Sequence, residues 1–328
     1  MTMLSRTAEG LFWLGRYMER CDNLGRLVEA GRRFDLTGAQ IDADTNEWGA
    51  ILIAAGCSGT YPGEVKKATG EEALHHLILD PSNPSSVQAC FAQARANARA
   101  QRGSITLDVW TAVNDAWSET RLFSERDCAP RNLPSTVDQI RQYTARFRGC
   151  VEGTMLRDER YQFLRLGQFV ERADATARLV DVKYHVLMPE EHPVGSAMDQ
   201  LHWNNLLIAA GARSAYRWVY RAPVQVRLVI DFLLLNRRNP RSLRHCFDNI
   251  LAELGNLHSE GAYGGGSLAD AINLRDELSG TEVDVVIGRG LHEYLTEMIV
   301  RSNNLAISIG SDFGFGPILT DETQAQSQ

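Results

Sequence analysis

Two copies of one charged spacing are the chain's best candidates for chemistry. Glu19-Arg20 lies in Leu11-Phe-Trp-Leu-Gly-Arg-Tyr-Met-Glu-Arg-Cys-Asp-Asn-Leu-Gly-Arg-Leu-Val28, and Glu171-Arg172 lies in Phe163-Leu-Arg-Leu-Gly-Gln-Phe-Val-Glu-Arg-Ala-Asp-Ala-Thr-Ala-Arg-Leu-Val180. At a shift of 152, Leu14, Gly15, Glu19, Arg20, Asp22, Arg26, Leu27 and Val28 recur as Leu166, Gly167, Glu171, Arg172, Asp174, Arg178, Leu179 and Val180. A carboxylate beside a guanidinium can do two things. Glu19 or Glu171 could act as a general base while Arg20 or Arg172 holds an anionic group. Alternatively the pairs lock helices together in a polar network. The repetition needs a stronger cause than the helical pairs Asp22 to Arg26 and Asp174 to Arg178, which are worth only about 0.2–0.5 kcal/mol on an exposed face. Interface locking is the favoured reading.

A second candidate is the row Arg213, Arg217 and Arg221, spaced i,i+4 with Tyr216, Trp218 and Tyr220 between. Guanidinium groups in a row suit a carboxylate, a phosphate or an acidic protein surface. The competing reading is a solvated stripe with its aromatics turned inward. The first half has Ser58, Pro62 and Lys66 at these places, so the row belongs to the second half alone.

Other motifs carry less. Glu72-Ala-Leu-His75 has the Glu-x-x-His spacing of helical metal sites, but such sites need a second copy and further carboxylates, so a solvated or core-edge histidine is expected and no metal is assigned. His292-Glu-Tyr-Leu-Thr296 has Thr where a zincin's second histidine belongs. Gly264-Gly-Gly-Ser267 could offer backbone N–H groups to an anion, but it lacks the Gly-Lys-Ser/Thr of a phosphate loop, and a connector with Ser267 as N-cap is the stronger expectation. Asp312-Phe-Gly314 stands without the other kinase motifs and is read as noise.

The elements that position these residues are helices. Apolar residues at Leu11, Leu14, Met18, Cys21 and Val28, and at Phe163, Leu166, Val170, Ala173, Ala177 and Val180, fall on a three-four spacing. Gly15 and Gly167 sit beside each stripe, where a missing side chain admits another backbone. Downstream, Trp48, Leu52 to Gly56 and Tyr61 recur as Trp203, Leu207 to Gly211 and Tyr216. Asn83-Pro84, Ser86 and Cys90-Phe91 recur as Asn239-Pro240, Ser242 and Cys246-Phe247. Three colinear blocks predict an all-α helical bundle built by internal duplication, with halves at 1–158 and 159–316 sharing a core and a disordered tail at 317–328. Asn83 is expected to cap a helix with Pro84 at its first position, Ser104 to begin another, Ser135 to open a capping box with Asp138, and residues 282–309 to form one long final helix. Polar loops are expected at 35–44 and 189–195.

Composition narrows the class. The 328 residues are 44% hydrophobic and carry a net charge of −7, which speaks against general binding to nucleic acid or anionic membrane. No apolar run reaches the length of a membrane span, and Leu11 to Leu14 is too short for a signal sequence, so a cytoplasmic protein is expected. The six cysteines show no close pairing and are read as reduced, buried small hydrophobes.

The opening Met3-Leu-Ser-Arg-Thr-Ala-Glu-Gly-Leu-Phe-Trp-Leu-Gly-Arg-Tyr-Met-Glu-Arg20, with the later Asn-Pro-x-Ser blocks, resembles the bacterial alpha-E domain proteins over nearly the whole chain. Cys21-Asp22-Asn23 stands where most relatives continue with an Ala-Glu-Asn-like stretch. The resemblance brings no catalytic residues. It implies company: circularly permuted ATP-grasp ligase-like proteins and transglutaminase-like proteins, hence a system that makes or modifies peptide amide bonds. The expectation is a non-catalytic accessory or scaffold protein acting with an ATP-grasp-type ligase or its peptide substrate, without a cofactor of its own. The alternative is an enzyme of the same system using the repeated Glu-Arg pairs.

Overall fold

A computed structural model describes residues 3–36, 46–186, 197–260 and 264–316. The described residues are all-α, without a strand. The order is α1 (Ser5–Asp35), α2 (Glu47–Ala54), α3 (Gly70–Leu74), α4 (Val87–Ala100), α5 (Leu107–Thr120), α6 (Glu125–Cys128), α7 (Leu133–Thr154), α8 (Glu159–Val186), α9 (Ala197–Ala209), α10 (Arg213–Tyr220), α11 (Val226–Ile230), α12 (Leu243–Glu260), α13 (Gly266–Gly280), α14 (Val283–Gly288) and α15 (Leu291–Phe313). None is long and apolar enough to cross a membrane.

The architecture is set by α1 and α8, which pack on each other more extensively than any other pair; α4 and α7 flank α1, and α12 and α15 flank α8. One hydrophobic cluster runs through both halves, from Ala8 to Phe313. Because α1 is enclosed on all sides, only Trp13, Tyr17 and Arg20 between Gly10 and Gly31 escape full burial. That is why its polar residues lie off the apolar stripe yet are not on the surface. The close approach expected at the glycines is present. A Cβ on Gly15 would stand 2.1 Å from the Leu164 carbonyl oxygen, and one on Gly167 would stand 2.0 Å from that of Phe12.

Matching details recur downstream. Gly56 and Gly211 both end a helix at positive φ, 70° and 67°, the left-handed stop that glycine takes without strain. α3 runs into a π turn at His75–Leu79, closed by Asp80 N–H to His75 C=O at 3.0 Å; α11 runs into one at Asp231–Leu235, closed by Asn236 N–H to Asp231 C=O at 2.9 Å. We read these recurrences as support for a duplicated unit with its halves near 1–158 and 159–316.

Several expected boundaries are corrected. Asn83 is not an N-cap: α4 starts at Val87 with Ser86 as its cap. Asn83 instead donates to the His76 carbonyl at 2.9 Å and accepts from Ser85 N–H at 3.0 Å, and Asn239 does the same to Phe232 and from Arg241 at 2.9 and 3.2 Å. A π turn leaves carbonyls without their usual helical partners, and this asparagine serves one of them. α5 is capped by Thr106 rather than begun at Ser104. α7 begins at Leu133, ahead of Ser135, with Pro134 in its first turn, so no capping box forms there. The single final helix is broken at Gly290, whose φ of 87° is incompatible with helix. Ser267 lies inside α13, and its N–H and hydroxyl both bond the Asp312 carboxylate at 2.7 Å. The anion offered to that glycine-rich N-terminus is therefore the chain's own Asp312. The expected loops at 35–44 and 189–195, beyond residue 36 in the first, and the expected tail at 317–328 lie outside the described residues.

Gly15→Ala or Gly167→Ala should destabilise the protein by about 3 kcal/mol or more, because a rigid backbone carbonyl occupies the methyl position. Gly149→Ala, in α7 with nothing within 4 Å of the added carbon, should instead stabilise by up to ~1 kcal/mol through helix propensity. Thermal melts of the three variants give opposite signs if the α1–α8 contact is as close as described.

Candidate functional site

At the α1–α8 crossing the two Glu-Arg pairs exchange partners. Arg172 donates from Nε and Nη2 to the two Glu19 oxygens at 2.8 and 2.7 Å. Arg20 returns the contact, donating from Nε and Nη2 to Glu171 at 2.5 and 3.2 Å. Each bridge is a two-pronged guanidinium–carboxylate pair. Glu19 is 1% exposed and Glu171 4%.

Each glutamate has a second arginine, drawn from a different place. Glu171 receives Arg16 Nε at 2.8 Å; the equivalent in the other copy is Gln168, so α8 offers Glu19 no such group. Glu19 instead has Arg241 at 3.3 Å, from the loop before α12, where the first half has Ser85. Arg148 of α7 lies 3.6 Å from both Glu19 and Asp22. Asp22 is fully buried among Arg26 at 2.8 Å, the Thr144 hydroxyl at 3.1 Å and Arg241. Arg26 also donates to the Ala209 carbonyl at 3.0 Å, tying α1 to the end of α9.

These surroundings fix the charge states. Burial opposes ionisation of Glu19, but Arg172, Arg241 and Arg148 outweigh it and hold its pKa at about 2. Burial likewise opposes ionisation of Glu171, and Arg20 and Arg16 bring it to about 2. Asp22 is held well below the ordinary carboxyl range by Arg26, Arg241 and Arg148 against the same opposition. Arg241 is pulled down to about 10 by burial and by Arg26, which leaves it charged at neutral pH. A general base needs a pKa near the working pH and access to a proton. Glu19 and Glu171 have neither. A cavity in the same network, lined by Asn23, Arg26, Thr176 and Arg241 but by neither glutamate, is about 10 Å³, room for at most one water. The four residues act as a clasp between helices.

The arginine row is placed differently. Arg213, Arg217 and Arg221 are all exposed on and just after α10, and none has an ion pair among the described residues. Tyr216 and Tyr220 turn inward, meeting the Phe232 ring edge-on, as the solvated-stripe reading expects. Trp218 does not: it is 76% exposed. Arg221 is the one non-glycine residue with positive φ among the described residues, at 50°, a conformation that costs roughly 1–2 kcal/mol for a side chain with a Cβ.

The weaker motifs resolve into local roles. Glu72 closes a capping box with Thr69, while His75 pairs with Glu125, so their Glu-x-x-His spacing does not converge on one point. His292 Nδ1 lies 2.7 Å from Asp181. No cluster of three metal-ligating side chains occurs among the described residues. All six cysteines are free thiols, and burial pushes those of Cys128 and Cys246 up to about 12, away from nucleophilic use.

Glu19→Ala should cost about 3–5 kcal/mol, since Arg172 would be left buried without its carboxylate. Acid should unfold the clasp with a definite sign. Both glutamates have folded pKa values below their unfolded value of about 4.3, so their stabilisation is fully present above that value. It is lost as pH falls through about 2. Chemical denaturation between pH 6 and pH 2 should show stability falling most steeply below pH 4, and Glu19→Gln should flatten that fall.

Residues 3–313 match the model of the Alpha-E family, described as a predicted alpha-helical domain with a conserved ER motif. Glu19-Arg20 and Glu171-Arg172 are Glu-Arg dipeptides whose side chains this fold joins across its centre. The chain is 25% identical over 315 residues to an uncharacterized protein of Mycobacterium bovis, and equally so to uncharacterized proteins of two Mycobacterium tuberculosis strains. The alignments cover 90% of this chain and 35% of each relative, so the chain spans about a third of their length. No solved structure matches. With the family model covering nearly its whole length, and two Glu-Arg pairs clasped at its core, this chain belongs to the Alpha-E family.

Proposed function

We propose that the chain is an accessory or scaffold protein of a peptide amide-bond-forming or modifying system, and that it docks an ATP-grasp-type ligase, or that ligase's peptide substrate, on the α10 face. The observation that carries this reading is the exposed Arg213, Arg217 and Arg221 row around an exposed Trp218, with no acidic partner of its own among the described residues. Guanidinium groups around an exposed aromatic suit carboxylate-bearing surfaces, since the indole supplies buried area and the arginines supply orientation. Arg221 keeps a costly backbone conformation without an intramolecular ion pair to offset it, as a residue retained for an external contact would. The lengths of the relatives add support: nearly two thirds of each lies outside the matched region, so there this fold belongs to a larger chain. Burial of the Glu-Arg pairs weighs against the enzyme alternative built on them.

The purified chain should show no ATP turnover alone, and should co-purify with an ATP-grasp-type ligase of its own organism. Changing Arg213, Arg217 and Arg221 together to Glu should weaken that association at least tenfold, while the wild-type association should fall with added salt. Full ligase activity without this protein, together with no co-purification, would remove the accessory role.

A further inference from the structure

In the first half, three side chains that no family motif marks form a hydrogen-bonded relay. Thr60 Oγ1 lies 3.1 Å from His76 Nε2, and His76 Nδ1 lies 2.8 Å from Asp80 Oδ2. The other Asp80 oxygen accepts from the backbone N–H and hydroxyl of Ser82 at 2.8 and 2.7 Å. Burial opposes ionisation of Asp80, but the bonds from Ser82 and His76 prevail and keep its carboxyl below the ordinary value. An ionised carboxylate can only accept, so the proton between Asp80 and His76 belongs to Nδ1. Nε2 faces the Thr60 hydroxyl, which also donates to the Cys57 carbonyl at 3.2 Å; in the tautomer with its proton on Nδ1, Nε2 is an acceptor to which the Thr60 proton can pass. Hydroxyl, imidazole and buried carboxylate in this order are the parts of an activated nucleophile, recognised by geometry and not by position in the chain.

The second half builds a similar frame without this relay. At the corresponding places stand Ala215, Phe232 and Asn236. The correspondence is physical: Tyr61 meets the His76 ring edge-on at 5.4 Å, and Tyr216 meets the Phe232 ring edge-on at 5.9 Å, each on the first turn of a π-helical segment. A phenylalanine fills the slot of His76 without a hydrogen bond, so packing alone gives no reason for the histidine or the hydroxyl; the turn that Asp80 holds through Ser82 N–H is kept by Asn236, which accepts from Arg238 N–H at 2.9 Å.

His76 and Asp80 line an open cleft of about 600 Å³ whose other walls include Glu71, Glu72 and Glu125. Glu71 and Glu125 also border a pocket of about 390 Å³ lined by Trp48, Leu74 and Leu133. Thr60 itself is half-buried and adjoins the cleft through Tyr61 and His76, which line it, so a substrate approaching from the cleft passes carboxylates first, with an apolar recess beside them. We propose that Thr60, His76 and Asp80 form an acyl-transfer centre acting on an ester or amide that carries a cationic amino or guanidino group. Thr60 Oγ1 adds to the carbonyl carbon as its proton passes to His76 Nε2. His76 then returns that proton to the leaving oxygen or nitrogen as its bond to carbon breaks, leaving an acyl ester on Thr60. Water or an amine enters by the same route in reverse, giving its proton to His76, and Thr60 recovers it on release.

The full chain should be incubated with the p-nitrophenyl esters of amino-blocked lysine and amino-blocked glutamate, following nitrophenolate release and the intact mass of the protein. The lysine ester should react at least tenfold faster than the glutamate ester and leave an acyl group mapped to Thr60. Thr60→Ala should lose the adduct and at least 100-fold of the rate with its melting curve unchanged, Thr60→Ser should keep both, and Asp80→Asn should lose at least tenfold. No release above buffer, an adduct on another residue, a preference for the glutamate ester, or an unaltered rate in Thr60→Ala would each overturn the proposal.

Discussion

The bundle depends on one backbone contact. α1 and α8 meet with Gly15 and Gly167 so close to the opposing carbonyls of Leu164 and Phe12 that no other residue type fits without displacing a helix. Two consequences follow from that spacing. The helices are near enough for side chains four and five residues along to reach across, so Glu19 meets Arg172 and Glu171 meets Arg20. Being central, both helices are also enclosed, and these charges are buried. A buried carboxylate with an excellent partner is stable only in that geometry, because losing either member leaves an uncompensated charge. The clasp therefore fixes the axial register of α1 on α8 as well as holding them together.

The second arginines show how such a network tolerates divergence. The position held by Arg16 in one copy is Gln168 in the other, and the position held by Ser85 is Arg241. Where α8 has no such cation the loop before α12 provides one, so Glu171 has two guanidinium groups nearby and Glu19, counting Arg148, has three. Arg241 reaches Glu19 from α12's leading loop. That same reach brings Arg241 to Asp22, linking the glutamate clasp to the Asp22–Arg26 pair and, through Arg26, to α9.

Outside the clasp the halves diverge in what they expose. Both place a π turn, an edge-on tyrosine and an asparagine-held turn at the same spot. The first half fills this frame with Thr60, His76 and Asp80 beside an acidic cleft. The second has Ala215, Phe232 and Asn236 at these places and carries exposed arginines around Trp218 on the outer side of α10. A rigid shared centre leaves these peripheral frames free to acquire separate chemistry.

The helical class, the repeated blocks and the close approach at Gly15 and Gly167 were all legible in the residues. Each follows from local causes: a three-four apolar period, a recurring residue pattern, a missing Cβ. Glu19 and Glu171 could be marked as members of a polar network because a repeated charge off the stripe needs a reason beyond helix pairing. Their partners could not be read, since Arg172 is 153 residues from Glu19 and Arg241 is farther still; only the crossing of α1 and α8 decides which guanidinium faces which carboxylate. The turn at Asn83 was misread as a cap because a π turn has no signature in spacing, and the carbonyl it leaves over is what the asparagine serves. Thr60, His76 and Asp80 are single residues of ordinary types spread over twenty positions. Their meeting is decided by the fold, where the loop after Gly56 returns across the π turn and sets a hydroxyl against an imidazole.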